Sequence, residues 1–318
     1  MSTLNKRDRT AVLLQLVSRQ PIQFSRFIAR GLAGLVNLLK VSKTSKTIRL
    51  NLKIALPHLT DAQREQITQQ AIRNELSSYF EFFSIWGADN QKNISRIEQI
   101  HGEDLLHEAL AGETGTVLIV PHFGTWEVMN AYIAQYTQMT IMYKPVKNEA
   151  ANQFVRQARS REQANLVPTD ESGVRQIFKA LKQGGTTVIL PDHTPHQGGE
   201  FVPYFGVPLA SSNLSAKLIQ KTKAKALLLY AMRNDHGLFD MHIEALDDAI
   251  YQGTANDGTY VIHQAIEQLI QRYPEHYHWS YKRFKANPAL RGLYNVPEEE
   301  ALSRIQQLRQ TAAQDTSV

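Results

Sequence analysis

The residues best suited to do chemistry are a histidine and a glutamate five positions apart, His122 and Glu127. On one continuous helix this spacing would turn the two side chains about 140° apart, so they would not meet. They can meet if His122 lies on a turn and Glu127 lies in the first turn of the helix that follows. Glu127 could then fix the imidazole tautomer and raise the basicity of its free nitrogen. The structural alternative makes Glu127 a helix-capping residue and His122 an ordinary loop residue.

The sequence lacks the cysteine or elbow serine that such a base commonly activates. It contains no cysteine and no G-x-S-x-G elbow, which excludes disulfides, thiolate metal sites and cysteine nucleophiles. His122 is therefore expected to deprotonate a substrate hydroxyl. This predicts general-base catalysis of direct acyl transfer.

Two further groups of polar residues favour an anionic or hydroxyl-bearing substrate. Arg156 and Arg159 are three positions apart on a predicted helix, so they share a face that suits a phosphate or an oxyanion. The alternative is a solvated basic surface. Asp192 follows an apolar run that is predicted to form a buried strand, and it could orient a substrate hydroxyl. His193 and His196 beside it hint at a metal, although no His-Glu-x-x-His helix supports one, and the alternative is a turn with incidental histidines.

The elements around these residues predict an α/β fold. Residues 1–90 have helical patterns. After about residue 95, short apolar runs alternate with amphipathic stretches, which is typical of βαβ units and a mostly parallel mixed sheet flanked by helices. The predicted strands are Thr116–Val120, Thr140–Tyr143, Thr187–Leu190 and Ala226–Tyr230, with Leu238–Ala245 as an antiparallel edge strand. Ligands bind beyond the carboxyl ends of such strands, and His122 and Asp192 each follow one.

The N-terminal part has the pattern of a helix that lies at a membrane surface. Residues 22–41 predict an amphipathic helix in which Arg26, Arg30 and Lys40 interrupt the apolar positions, suited either to an anionic lipid interface or to packing on its own domain. No apolar run is long enough to predict a spanning helix. We expect a membrane-associating segment over residues 1–45, the main domain over 46–290 and a polar tail over 291–318.

Two later stretches have less specific patterns. Residues 201–208 predict an apolar, turn-rich loop, which either shapes a groove for a fatty chain or is a rigid connection. Residues 279–285 interleave aromatic and basic side chains, as a phosphate-facing patch or a surface strand would.

The net charge of +5 over 318 residues favours anionic partners. Nucleic acid is not expected among them, because the charge is spread along the chain and no nucleic-acid-binding motif is present.

Taken in order, these blocks resemble the lysophospholipid acyltransferase superfamily. Within it, the chain resembles the late acyltransferases of lipid A biosynthesis, the lauroyl and myristoyl transferases. The similarity extends from about Lys46 to Phe284. The matching blocks are Arg49-x-Asn51-Leu with Pro57, His122-x4-Glu127, Tyr143-Lys144-Pro145 with 156–159, Pro191-Asp192, 201–203 and 279–284.

The resemblance implies an acyl donor on acyl carrier protein and an acceptor hydroxyl on a β-hydroxyacyl chain of phosphorylated lipid A precursor. It implies that His122 takes the hydroxyl proton, that Glu127 orients His122, and that Arg159 stabilises the oxyanion or a phosphate. Asp192, Arg156 and Lys144 would bind substrate. The family works on the cytoplasmic face of the bacterial inner membrane, at an anionic membrane surface, and no metal or organic cofactor is expected.

Two other activities remain open at this stage. One is an acyltransferase that acts on another membrane lipid, such as a glycerophospholipid or a glycolipid. The other is a metal hydrolase that uses His122, His193 and His196.

Overall fold

The computed structural model describes residues 6–39, 42–195 and 198–315. The helices are α1 Lys6–Arg19, α2 Ile22–Leu39, α3 Lys43–Ala55, α4 Asp61–Gly87, α5 Asn90–Ile94, α6 Glu103–Ala111, α7 Met129–Ile133, α8 Glu149–Arg161, α9 Glu171–Lys182, α10 Leu214–Thr222, α11 Ala255–Arg272 and α12 Glu298–Asp315. The strands are β1 Ile97–His101, β2 Thr116–Ile119, β3 Met139–Met142, β4 Asn165–Val167, β5 Thr186–Ile189, β6 Glu200–Tyr204, β7 Val207–Ser211, β8 Lys225–Arg233 and β9 Phe239–Ala245. Short 3₁₀ turns lie at 126–128, 248–251, 274–276, 283–286, 288–290 and 293–295.

The predicted mostly parallel α/β sheet is confirmed. Its order is β1-β9-β8-β2-β5-β3-β4, and β2 pairs in parallel with both β5 and β8. All four residues of β2 are buried, because a strand with a neighbouring strand on each side and helices on both faces is not exposed to solvent. Strand β9 is antiparallel to β8, as predicted, but the prediction that it forms the edge is wrong: β1 pairs with its other side.

The helical prediction for the N-terminal region is confirmed over the described residues. Helix α4 begins with a capping box: Gln63 Oε1 accepts from Thr60 N at 2.9 Å, while Gln63 N donates to Thr60 Oγ1 at 3.3 Å. Most of the predicted polar tail forms helix α12, which buries Ala301 and Ile305.

By packing, the chain divides into two compact units. The first comprises residues 1–31, 76–189 and 222–245, and contains the seven-stranded sheet. The second comprises residues 32–75, 190–221 and 246–318. The predicted division at residues 45 and 290 stays a prediction.

The second unit corrects two predictions. Residues 201–208 are not a loop, since β6 and β7 form an antiparallel hairpin there. Residues 279–285 are not a surface strand, because Trp279, Arg283 and Phe284 are almost fully buried. Arg283 donates to Ala210 O at 3.1 Å and to Ser211 Oγ at 2.6 Å, so residues 279–285 are hydrogen-bonded to the end of β7.

Helix α2 has the predicted apolar outer face, with one correction. Phe24, Phe27 and Ile28 are exposed, Phe27 by 74% of its surface. Arg26, which we expected at the lipid headgroups, is instead buried against Glu81. Lys40 lies outside the described residues. Among the described residues, no helix combines the length and apolarity needed to cross a membrane.

The side chain of Asn51 forms hydrogen bonds inside the second unit, so substituting it tests how much they stabilise that unit. Its amide donates to Trp279 O at 2.7 Å and to Tyr281 O at 2.9 Å, and its oxygen accepts from Tyr294 OH at 2.6 Å. Because Asn51→Ala leaves these buried groups unpaired, we expect a loss of about 2 to 4 kcal/mol in the free energy of unfolding. Urea denaturation measures this, with the exposed Asn295→Ala as control. Equal urea midpoints for Asn51→Ala and Asn295→Ala would contradict the stabilising role of Asn51.

Candidate active site

The loop that carries His122 and Glu127 is held to the end of strand β8. Thr125 N donates to Ala231 O at 3.0 Å, and Gly124 forms a parallel bridge with Ala231. Gly124 has a φ of +56°, and a Cβ there would lie 2.0 Å from Ala231 O, so a larger residue cannot take its place. The chain then enters a 3₁₀ turn at 126–128, which contains Glu127. The predicted strand-to-helix turn is therefore confirmed as the setting of both residues.

Three donors fix the buried carboxylate of Glu127. Trp86 Nε1 donates to Oε2 at 2.7 Å, and Arg159 Nη2 donates to Oε1 at 2.8 Å. Asn130 Nδ2 also lies 3.3 Å from Oε2. The side chain of Glu127 is only 8% exposed. A buried carboxylate with these partners has little rotational freedom, which is a property required of a group that must orient another.

An aromatic row leads from His122 to the donor of Glu127. The His122 ring lies edge-on to Trp126, with centroids 5.1 Å apart. Trp126 packs against Phe82 at 4.7 Å, and Phe82 stacks on Trp86 at 5.6 Å. His122 itself remains partly accessible. The imidazole is therefore packed on one side by a rigid apolar wall and can be reached by a substrate hydroxyl.

Arg159 bridges two carboxylates, Glu127 and Glu162. Its Nη1 lies 3.0 Å from Glu162 Oε2, and its own side chain is 12% exposed. Burial acts to lower the pKa of Arg159, but the two carboxylates raise it above its ordinary value, so the guanidinium is charged. Burial raises the pKa of Glu162 to about 7, against the opposing charge of Arg159. The ionisation of Glu162 thus changes the net charge beside Glu127 near neutral pH.

The other predicted residues of the first unit are more open. Arg156 is exposed and lines a polar cleft of about 670 Å³ with Asn152 and Ser160. Asn152 Oδ1 accepts from Tyr143 OH at 2.7 Å and from Val146 N at 3.2 Å, which fixes the loop that presents the exposed Lys144. Arg156 and Arg159 therefore have different surroundings, although they are three residues apart.

Asp192 and His193 belong to the second unit. Asp192 is buried and accepts a hydrogen bond from Tyr277 OH at 3.0 Å. The His193 ring stacks on Tyr281 with centroids 3.7 Å apart. The alternative metal set also includes His196, which lies outside the described residues.

Sequence reasoning missed Trp86 and Glu162. Trp86 lies on a helix 41 residues before its partner, and nothing in its local pattern distinguishes it from a core aromatic. Glu162 gave a weak signal, because it is an acid three residues after Arg159, and an acid at this spacing pairs with a cation on a helix.

Comparison with known proteins decides the family. Residues 10–286 match the family described as bacterial lipid A biosynthesis acyltransferase. The chain belongs to this family. It is an acyltransferase of lipid A biosynthesis, with a lipid A acceptor.

Curated relatives agree with this assignment. The chain is 27% identical to a lipid A biosynthesis acyltransferase of Haemophilus influenzae over 84% of this chain and 86% of the relative. It is 24% identical to the lipid A biosynthesis palmitoleoyltransferase of Escherichia coli over 76% and 78% of the two chains. It is 23% identical to the lauroyltransferase of the same organism over 87% and 90%. The two Escherichia coli relatives differ in the acyl group that their names give.

The raised pKa of Glu162 makes stability depend on pH. In the unfolded chain this carboxyl titrates near about 4.3, so between about 4.3 and about 7 the native state holds a proton that the unfolded state lacks. The free energy of unfolding therefore falls as pH rises through this interval. We expect Glu162→Gln, which keeps an acceptor for Arg159, to remove a fall of about 3 to 4 kcal/mol.

Urea denaturation at several pH values measures this difference. Glu200→Gln, at an exposed position, is the control and should follow the wild type. If the wild-type and Glu162→Gln stability curves run parallel, Glu162 does not titrate as described.

Proposed function

We propose that the protein transfers a C12–C14 acyl group from acyl carrier protein to a hydroxyl of a β-hydroxyacyl chain on phosphorylated lipid A precursor. His122 acts as general base and Glu127 orients it. The observation that carries this proposal is the buried Glu127 carboxylate, fixed by Trp86 and Arg159 on the loop that presents a partly accessible His122. Such a pair without an enzyme nucleophile suits direct transfer.

The reaction balances with groups that the chain and its substrates supply. The acceptor hydroxyl oxygen attacks the thioester carbonyl while its proton passes to the His122 imidazole. The carbonyl π electrons move onto oxygen, return as the C–S bond breaks, and leave an ester and a thiolate. The imidazolium then protonates the thiolate, and the carrier leaves as a free thiol. The negative charge of Glu127 stabilises the imidazolium between these steps.

The cations have separate roles in this proposal. Arg159 is paired with Glu127 and Glu162, so it acts first by fixing Glu127, and its charge also favours a developing oxyanion. Arg156 and Lys144 are exposed, which suits contacts with phosphate groups. We assign Asp192 to binding the sugar or acyl chain of the acceptor.

The protein works at the cytoplasmic face of the bacterial inner membrane, with α2 in the lipid interface. The exposed large apolar side chains of α2 support this: Phe24, Phe27, Ile28, Leu32, Leu35 and Leu38. Such a face on one helix favours insertion into the boundary between headgroups and acyl chains.

The first test of the proposal is acyl transfer in detergent, read by mass spectrometry. Wild-type protein with C12- or C14-loaded acyl carrier protein and lipid A precursor should add one acyl mass. His122→Ala and Glu127→Gln should lower kcat by about a thousandfold or more, because each removes the base or its orientation. Glu171→Gln, on the exposed start of α9, is the control for loss of a carboxylate.

Other outcomes would change the proposal. Transfer to a glycerophospholipid or a glycolipid instead of lipid A precursor would contradict the acceptor. Survival of transfer in both variants would contradict the mechanism. Loss of wild-type activity on chelation would favour the metal alternative.

The membrane contact of α2 is tested by vesicle flotation. Phe27→Glu places a charge at the most exposed aromatic position of the helix, so we expect vesicle binding to weaken by about tenfold or more. Tyr260→Glu changes an exposed aromatic residue of α11 and should bind as the wild type does. If both variants float equally with vesicles, α2 is not the lipid contact.

A further inference from the structure

A second buried carboxylate, Glu81, contacts the loop between His122 and Glu127. Thr125 Oγ1 donates to Glu81 Oε2 at 2.7 Å, and Ser78 Oγ lies 3.0 Å from the same threonine oxygen. Thr125 is buried, and its backbone is also fixed by Ala231 O. The proposed chemistry gives Glu81 no role, yet its carboxylate holds the middle of the catalytic loop.

Two arginines keep Glu81 ionised. Arg233 Nε lies 2.7 Å from Oε1 and its Nη2 lies 2.9 Å from Oε2, while Arg26 Nε donates to Oε1. Burial alone would raise the pKa of Glu81, but the charges and hydrogen bonds of Arg233 and Arg26 hold that pKa below its ordinary value. An ionised carboxylate accepts a stronger hydrogen bond from Thr125 than a neutral one.

Arg26 joins this network to α2. It lies on the buried face of the helix and also donates to Gly237 O, whereas the next two residues, Phe27 and Ile28, are exposed. One face of α2 therefore carries the apolar side chains assigned to lipid, and the other carries a cation that balances Glu81.

We propose that Glu81 is a positioning residue for the His122–Glu127 loop, acting through Thr125, and that Arg26 makes the position of this loop depend on how α2 is seated. The inference rests on the proposed function, because it concerns the same two catalytic residues. Loss of the Thr125 contact should leave substrate binding intact and misplace the base, which lowers kcat.

The test compares substitutions that delete one hydroxyl. Thr125→Val keeps the side-chain shape and removes the bond to Glu81, while Thr125→Ser keeps the bond. Thr187→Val is the matched control, because Thr187 is also buried and its hydroxyl donates to Thr140 O at 2.7 Å. We expect kcat to fall about 10- to 100-fold in Thr125→Val, with KM for the acceptor within about twofold. Thr125→Ser and Thr187→Val should keep kcat near the wild-type value.

The role of Arg26 is tested by a double-mutant cycle. Arg26→Met should lower kcat, and combining it with Thr125→Val should lower kcat no further than the worse single variant, because both act through Glu81. Arg309→Met is the control: Arg309 is half-buried, and its bonds go to Ile54 O and Phe205 O, away from Glu81. Multiplicative losses in the cycle, or an equal kcat loss in Arg26→Met and Arg309→Met, would overturn the role of Arg26.

His122→Ala, measured in the same series, distinguishes failure of the positioning inference from failure of the proposed function. If His122→Ala loses transfer while Thr125→Val and Thr187→Val have the same kcat, the positioning inference is wrong and the proposed function stands. If His122→Ala retains transfer, the proposed function fails and the inference fails with it.

Discussion

A carboxylate cannot be buried as an anion without partners for its charge, and the packing around the loop that carries His122 and Glu127 follows from this constraint. Glu127 requires donors from outside its own loop. Helix α4 supplies Trp86 and helix α8 supplies Arg159, so both helices must converge on the end of strand β2. The apolar core alone would permit several positions of these helices. Hydrogen bonds of 2.7 and 2.8 Å to one carboxylate permit far fewer.

Helix α4 contributes to the burial of two carboxylates, those of Glu127 and Glu81. Five residues before Trp86 it carries Glu81, whose charge is balanced by Arg26 and Arg233 and whose oxygen holds Thr125. One helix thus fixes the loop on both sides of Trp126, through an acceptor for Thr125 and a donor for Glu127. Rigidity of this kind is what general-base catalysis requires, since a displaced imidazole loses the geometry of proton transfer.

Much of the fold could be predicted because buried strands and amphipathic helices have strong local patterns. The four apolar runs became β2, β3, β5 and β8, and the turn after β2 carries His122 as expected. Strands β1 and β4 were missed because they lie at the sheet edges and have mixed, short sequences. The β6–β7 hairpin was taken for a loop because of Pro203 and Pro208. These prolines lie opposite each other in a two-stranded ribbon, whose outer edges need no N–H donor.

The partners of the charged residues could not be predicted in the same way. The Arg159 side chain could reach a phosphate or an acid, and only the fold shows that Glu127 and Glu162 lie beside it. Arg26 was expected among the lipid headgroups because it is one of the basic residues of an amphipathic helix. Its partner Glu81 is 55 residues away in sequence, so no local pattern relates the two. Long-range ion pairs are set by tertiary packing, which one sequence does not encode in any short window.

We propose that Glu127 sets the His122 imidazole for proton transfer. The most direct measurement is the ¹⁵N chemical shifts of the His122 ring in histidine-labelled protein, assigned by comparison with His122→Asn. We expect a single tautomer in the wild type and a mixture of tautomers in Glu127→Gln, because the amide cannot replace the fixed carboxylate. Identical His122 shifts in the two proteins would show that Glu127 does not orient the base.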